Sequence, residues 1–153
     1  MAAEGAPALC RRNRFRGIFP PMQKFLTLLF LSDAHARWRF WGAITLFVLN
    51  CIIGSIPGAR AEAAEYASGL VLHSCGYSVL AFMLFTGCQG EPAQRALKAV
   101  FGIAIMGAID EFVQSFFPYR HGSVDDWLVD MAAAIIASTV MWALWSLRKR
   151  PAA

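Results

Sequence analysis

His73 and Tyr77, then Asp110, Glu111 and Gln114, then Arg120, Ser123, Asp126 and Asp130 are polar or ionisable residues set in or beside long apolar runs. Their spacing sorts them by helix face. His73 and Tyr77 stand four apart, Glu111 and Gln114 three apart, and Asp126 and Asp130 four apart, so each pair shares one side of a helix. An imidazole beside a carboxylate supplies an acid and a base for proton transfer. His73 and Glu111 are therefore the candidate catalytic residues, with Asp126 as an orienting group. A guanidinium such as that of Arg120 eases the ionisation of nearby carboxylates and can hold a phosphate or carboxylate. Gln114, Ser123, Asp130, Tyr77 and Asp110 complete the candidate ligand-binding set. Plainer roles stand beside these. Ser123-x-x-Asp126 ahead of an apolar run is also a helix-capping pattern, and Pro118 and Gly122 are turn formers. Arg120 can snorkel to headgroups, Gln114 can join helices by hydrogen bonding, and Tyr77 can be a packed aromatic. Glu111 can be a structural carboxylate paired with His73 or Arg120. Asp110 points about 100° round the helix from Glu111, toward another element.

The elements that must position these residues are apolar. Of 153 residues, 58% are hydrophobic and 16% charged, against about 25% charged in an ordinary soluble domain. That composition excludes disorder, collagen, a coiled coil and a disulfide-stapled secreted scaffold. A bilayer core takes roughly 20 apolar residues to cross as a helix, and four stretches suffice: Phe40–Ile56, Gly69–Gly87, Leu97–Phe117 and Trp127–Leu147. Pro57-Gly58, the run from Gly87 to Pro92, and Pro118 with Gly122 separate them. The expected fold is an all-α membrane protein with four transmembrane helices. Residues 1–39 form a leader with a short interfacial helix at 25–31, residues 40–147 the four-span domain, and residues 148–153 a basic tail. The tryptophans (Trp38, Trp41, Trp127, Trp142 and Trp145) fit an interfacial belt.

Basic residues orient the spans. Seven precede the first span, two lie around the second connection and three in the tail, against Arg60 and Arg120 in the other two connections. Both termini are thus expected in the cytoplasm, with the protein in the bacterial inner membrane. The net charge of +4 is then a topology signal, with attraction to membrane lipid as a secondary effect and no nucleic-acid partner. Residues 11–16, the run 25–31 and Ala34-His35-Ala36 imitate a cleavable secretory signal, but cleavage would put the Arg-Lys-Arg tail outside, against that asymmetry. Met22 is an alternative start. Placed in this topology, Glu111 lies roughly 9 Å, His73 roughly 6 Å and Asp130 roughly 5 Å inside the outward ends of their spans. Three helices therefore deliver polar groups to one shallow layer. The cysteines (Cys10, Cys51, Cys75 and Cys88) show no C-x-x-C spacing, and His73, Glu111 and Asp130 come from separate helices. No cofactor and no metal is expected from sequence spacing.

The string Asp110-Glu111-x-x-Gln114-x-x-x-Pro118-x-Arg120-x-x-Ser123-x-x-Asp126-x-x-x-Asp130 resembles the signature of the VanZ-like family, and His73-x-x-x-Tyr77 resembles its earlier motif. The family consists of small bacterial multi-helix membrane proteins, named for a member associated with teicoplanin resistance. The resemblance covers residues 69–137. It departs at Gly69-Leu70, where the family commonly has Asp-Lys, at Asp130, often Asn, and at Ala133, often Gly. It implies a cell-envelope role and a link to antibiotic resistance, but no reaction. Three functions follow as expectations. The first is recognition or processing of a lipid- or glycan-linked envelope compound at the polar cluster. The second is a non-enzymatic accessory role, with a membrane protein partner or a homo-oligomer. The third is an ion or proton pathway, for which the inner half of the second span, Val79 to Phe85, offers no polar continuation.

Overall fold

The computed structural model describes residues 32–148. The interfacial helix expected at 25–31 and the tail beyond Arg148 lie outside the described residues. After a 3-10 turn at Asp33–His35 come five helices: α1 (Ala36–Gly54), α2 (Ala59–Tyr66), α3 (Gly69–Gly87), α4 (Pro92–Gln114) and α5 (Val124–Arg148). The described residues contain no strand.

Local chemistry sets the helix ends. Gly58, at φ 87°, takes the left-handed conformation that turns the chain into α2. The Ala, Glu and Arg residues of α2 are strong helix formers, so the Ala-rich connection is helical rather than extended. Ser68 accepts the Val71 N–H to cap α3. A reciprocal Glu91/Gln94 capping box with Pro92 in the first turn starts α4. Ser123 accepts the Asp126 N–H at the start of α5. The second expected span coincides with α3. The others shift by a few residues: α1 begins at Ala36, inside the stretch assigned to the leader, and α4 stops at Gln114.

Helix α3 packs against α1, α4 and α5, and α4 packs along α5. The core they enclose includes Tyr77, Leu80, Phe85, Ile103, Met106 and Ala134. Outward faces are apolar too, with Ile52, Leu97, Phe101, Phe112 and Ile136 exposed, as suits a bundle solvated by lipid tails. Among the described residues, three helical segments are long and apolar enough to cross a membrane: Asp33–Gly54, Gly69–Gly87 and Val124–Leu147. The remaining expected span, Leu97–Phe117, falls largely in α4, whose 23 residues extend about 34 Å. Its apolar centre is diluted by Arg95 and Lys98 near one end and by Asp110, Glu111 and Gln114 near the other.

The end of the bundle near Ala36 and Pro92 is locked by buried arginines. Arg39 donates to the Thr86 and Ser32 carbonyls. Arg95 donates to Asp33 and to the Gly90 carbonyl and lies 5.1 Å over the Trp145 ring. Trp145 is buried edge-on to Phe85, and Trp127 donates its indole N–H to the Ala104 carbonyl. These two tryptophans therefore pack inward, while Trp38, Trp41 and Trp142 remain exposed as the belt reading requires.

Candidate functional site

The opposite end, where α1 and α4 finish and α3 and α5 begin, collects the polar residues. One turn inside α3, His73 faces α5 and its Nδ1 lies 2.9 Å from Asp130 Oδ1. Asp130 is fully buried. It fits because α4 presents Gly107 there: a Cβ on that residue would come within 3.1 Å of Asp130 Oδ2. One turn further along α3, Tyr77 donates its hydroxyl to Asp110 Oδ2 at 3.1 Å. The Cys51 thiol of α1 approaches the other oxygen at 3.7 Å. Asp110 thus ties α1, α3 and α4 together, on a different side of α4 from Glu111, as the 100° step requires. The His73 and Tyr77 rings are stacked, 6.0 Å apart and within 11° of parallel.

Glu111 reaches toward α5 instead. Its Oε2 accepts the Ser123 backbone N–H at 2.6 Å, satisfying a donor at the helix start that has no partner within α5. Ser123 caps α5 with its hydroxyl, so the capping alternative describes how Ser123 and the Asp126 backbone are used. Gly122 passes directly over the last turn of α4, and a Cβ there would collide with the Glu111 carbonyl. Arg120 donates to the Gly54 carbonyl at 2.7 Å, and Tyr119 donates its hydroxyl to the Ser55 carbonyl. The loop between α4 and α5 therefore docks on the carbonyl end of α1, where positive charge is favoured by the helix dipole. Gln114 is buried between helices, and its Oε1 has no hydrogen-bond partner among the described residues.

A cavity of about 490 Å³ opens beside this cluster. That is within the usual range for small-molecule sites, about 300–1,000 Å³. Its walls are α1, α2 and α3, with Leu46, Ile53, Leu72 and Val79 as apolar lining. Its polar groups are His73, Tyr77, Asp110, Arg120 and Asn50. Four sequence candidates therefore reach the cavity. Glu111, Gln114, Ser123, Asp126 and Asp130 do not line it; Glu111 and Asp130 stand behind His73, with one ligand-type atom from each of the three within 4.8 Å of the others. Sequence reasoning missed Asn50 and Cys51. Asn50 carried a usable signal, because it interrupts the apolar run of α1 from Leu46 to Ile53. Cys51 carried none, since a thiol inside a span usually serves as a small apolar group.

Long apolar helices closing over buried carboxylates at one end define a multi-helix membrane protein. The VanZ/LLP1 family profile matches residues 18–146, and the chain belongs to that family. The match extends well beyond residues 69–137, where the motif resemblance is concentrated. No curated protein and no solved structure matches the chain.

Proposed function

We propose that this protein is a four-span inner-membrane protein with both termini in the cytoplasm, whose outward cavity receives the head of a lipid- or glycan-linked envelope compound. The observation that carries the reading is the cavity itself, with aliphatic walls from α1 and α3 and five polar or charged groups in its lining. An amphiphile matches both surfaces: its chain lies against Leu46, Ile53 and Val79, and its head meets His73, Tyr77, Asn50 and Arg120. An anionic head suits Arg120. The fourth span is α4, supported by its length and its packing along both α3 and α5.

Recognition is the part of this reading that the geometry supports best. Within it His73 is the wall residue able to move a proton, and Glu111 acts from behind as a positioning residue. The internal pairings Tyr77–Asp110, His73–Asp130 and Glu111–Ser123 favour a second reading. In it the cluster only fixes helix packing, and the protein is a non-enzymatic accessory to a membrane partner. Gly76 separates the two. It lines the cavity, and a Cβ on it meets nothing within 4 Å, so Gly76→Leu occupies cavity space while every residue of the cluster is retained. Lipids extracted with the detergent-purified wild type should be enriched in one anionic, glycan- or peptide-headed species that Gly76→Leu depletes. Identical bulk lipid in both proteins, with a larger membrane protein co-purifying, would establish the accessory reading instead.

A further inference from the structure

We propose that His73, Glu111 and Asp130 form a binding site for a divalent transition-metal ion, with Zn²⁺ the best match to the ligand set. The site needs no occupant in the neighbouring cavity, so it stands or falls apart from the amphiphile reading.

Two carboxylate oxygens of this cluster are buried without a hydrogen-bond partner among the described residues. Asp130 is fully buried, and Oδ1 is used on His73 while Oδ2 has no hydrogen-bond partner among the described residues. Glu111 is 9% exposed; Oε2 is used on Ser123, and Oε1 is likewise buried without a partner. Buried carboxylate oxygens without donors are costly, and native proteins rarely keep two of them together. A cation between them satisfies both at once. Charge points the same way. Glu111 and Asp130 both lie close to one imidazole, and Asp110 is the neighbour of Glu111 on α4, so the cluster is acid-rich in a buried setting.

Geometry selects the ion. One ligand-type atom from each residue lies within 4.8 Å of the others. The edges of a tetrahedral zinc site with N and O ligands are about 3.4 Å. His73 Nδ1 and Asp130 Oδ1, at 2.9 Å, are already near that edge once an ion replaces the proton they share, and a Glu111 oxygen lies within 4.8 Å of a ligand-type atom of each. One imidazole and two carboxylates suit zinc better than calcium or magnesium, which prefer oxygen alone. The surroundings hold the ligands in place: the His73 ring is stacked on Tyr77, and Glu111 is tethered by the Ser123 N–H. With three protein ligands, the fourth position is left for water or an oxygen of a ligand.

The test uses the full-length protein in detergent, stripped with chelator and dialysed against Zn²⁺ alone. Mass-spectrometric metal analysis should find one zinc ion per chain in the wild type and in His121→Ala, a control on an exposed loop histidine. His73→Gln and Asp130→Asn should each bind at least about tenfold more weakly. Where these variants fail to fold, X-ray absorption at the zinc edge of the wild type decides: a nitrogen/oxygen shell with the signature of a single imidazole supports the site. Zinc content no higher than the detergent blank, a sulfur shell, or folded His73→Gln and Asp130→Asn variants that bind like the wild type would overturn it.

Discussion

Glu111 shows how much a side chain's role depends on which of its atoms are used. Only Oε2 caps α5, through the Ser123 N–H, and a glutamine keeps an acceptor there. In protein stripped of metal, Glu111→Gln should therefore leave thermal stability in detergent close to wild type, whereas Glu111→Ala should lose about 1–3 kcal/mol by orphaning a buried donor. Equal losses in the two variants would show that charge, rather than capping, holds this corner. Gly122 gives a second prediction. Because a Cβ would strike the Glu111 carbonyl, Gly122→Ala should cost about 1–3 kcal/mol, read as a lowered unfolding midpoint. At this scale the sequence was legible in kind and less so in pairing. Ionisable residues in apolar runs announce themselves, and helical spacing assigns them to faces. Periodicity does not say which face meets which, so the choice of Asp130 as the partner of His73, and of a backbone N–H as the partner of Glu111, emerges only when three helices pack.

Among elements, α4 holds two polar ends apart. Toward its C-terminus it presents Asp110 and Glu111 to different neighbours, and near its N-terminus Arg95 is buried against Asp33, Gly90 and Trp145. In the sequence, Arg95 and Arg39 read as flanking charges that orient spans. Both are also structural, because each saturates carbonyls between helices while staying close to the bundle end. Arg95→Ala should lower stability by about 2–3 kcal/mol through its charged hydrogen bonds. Asp33→Asn should cost much less, since Asp33 is largely exposed; a reversed ranking of the two midpoints would contradict this account. The start of α5 was legible because its cap, Ser123, is written ahead of an apolar run, whereas α4 begins at Pro92, five residues before the expected Leu97, because the Glu91/Gln94 capping box opens the helix ahead of its apolar stretch. The inward turn of Trp145 was not legible, because an interfacial tryptophan and a core tryptophan one turn from a helix end look alike in sequence.

For the whole molecule, the described core separates the two polar ends with Leu80, Leu84, Phe85, Ile103 and Ala134. That apolar layer argues against a continuous proton path, in keeping with the role proposed for the cavity end. The proposed topology is open to a direct check. A green fluorescent protein fused after residue 153 should fluoresce in cells, and alkaline phosphatase fused after His121 should be active; the opposite pair of results would invert the orientation. The central claim, that the cavity between α1, α2 and α3 holds an amphiphile, is tested most directly by photo-crosslinking. An anionic, glycan-headed lipid bearing a diazirine would be illuminated with the purified protein and its adducts mapped by mass spectrometry. Adducts should concentrate on residues 46–54 and 69–80, which carry most of the cavity lining, and should fall sharply in Gly76→Leu. Adducts spread evenly onto the exposed α4 residues Phe101, Ile105 and Phe112, and unchanged by Gly76→Leu, would show a protein merely bathed in lipid.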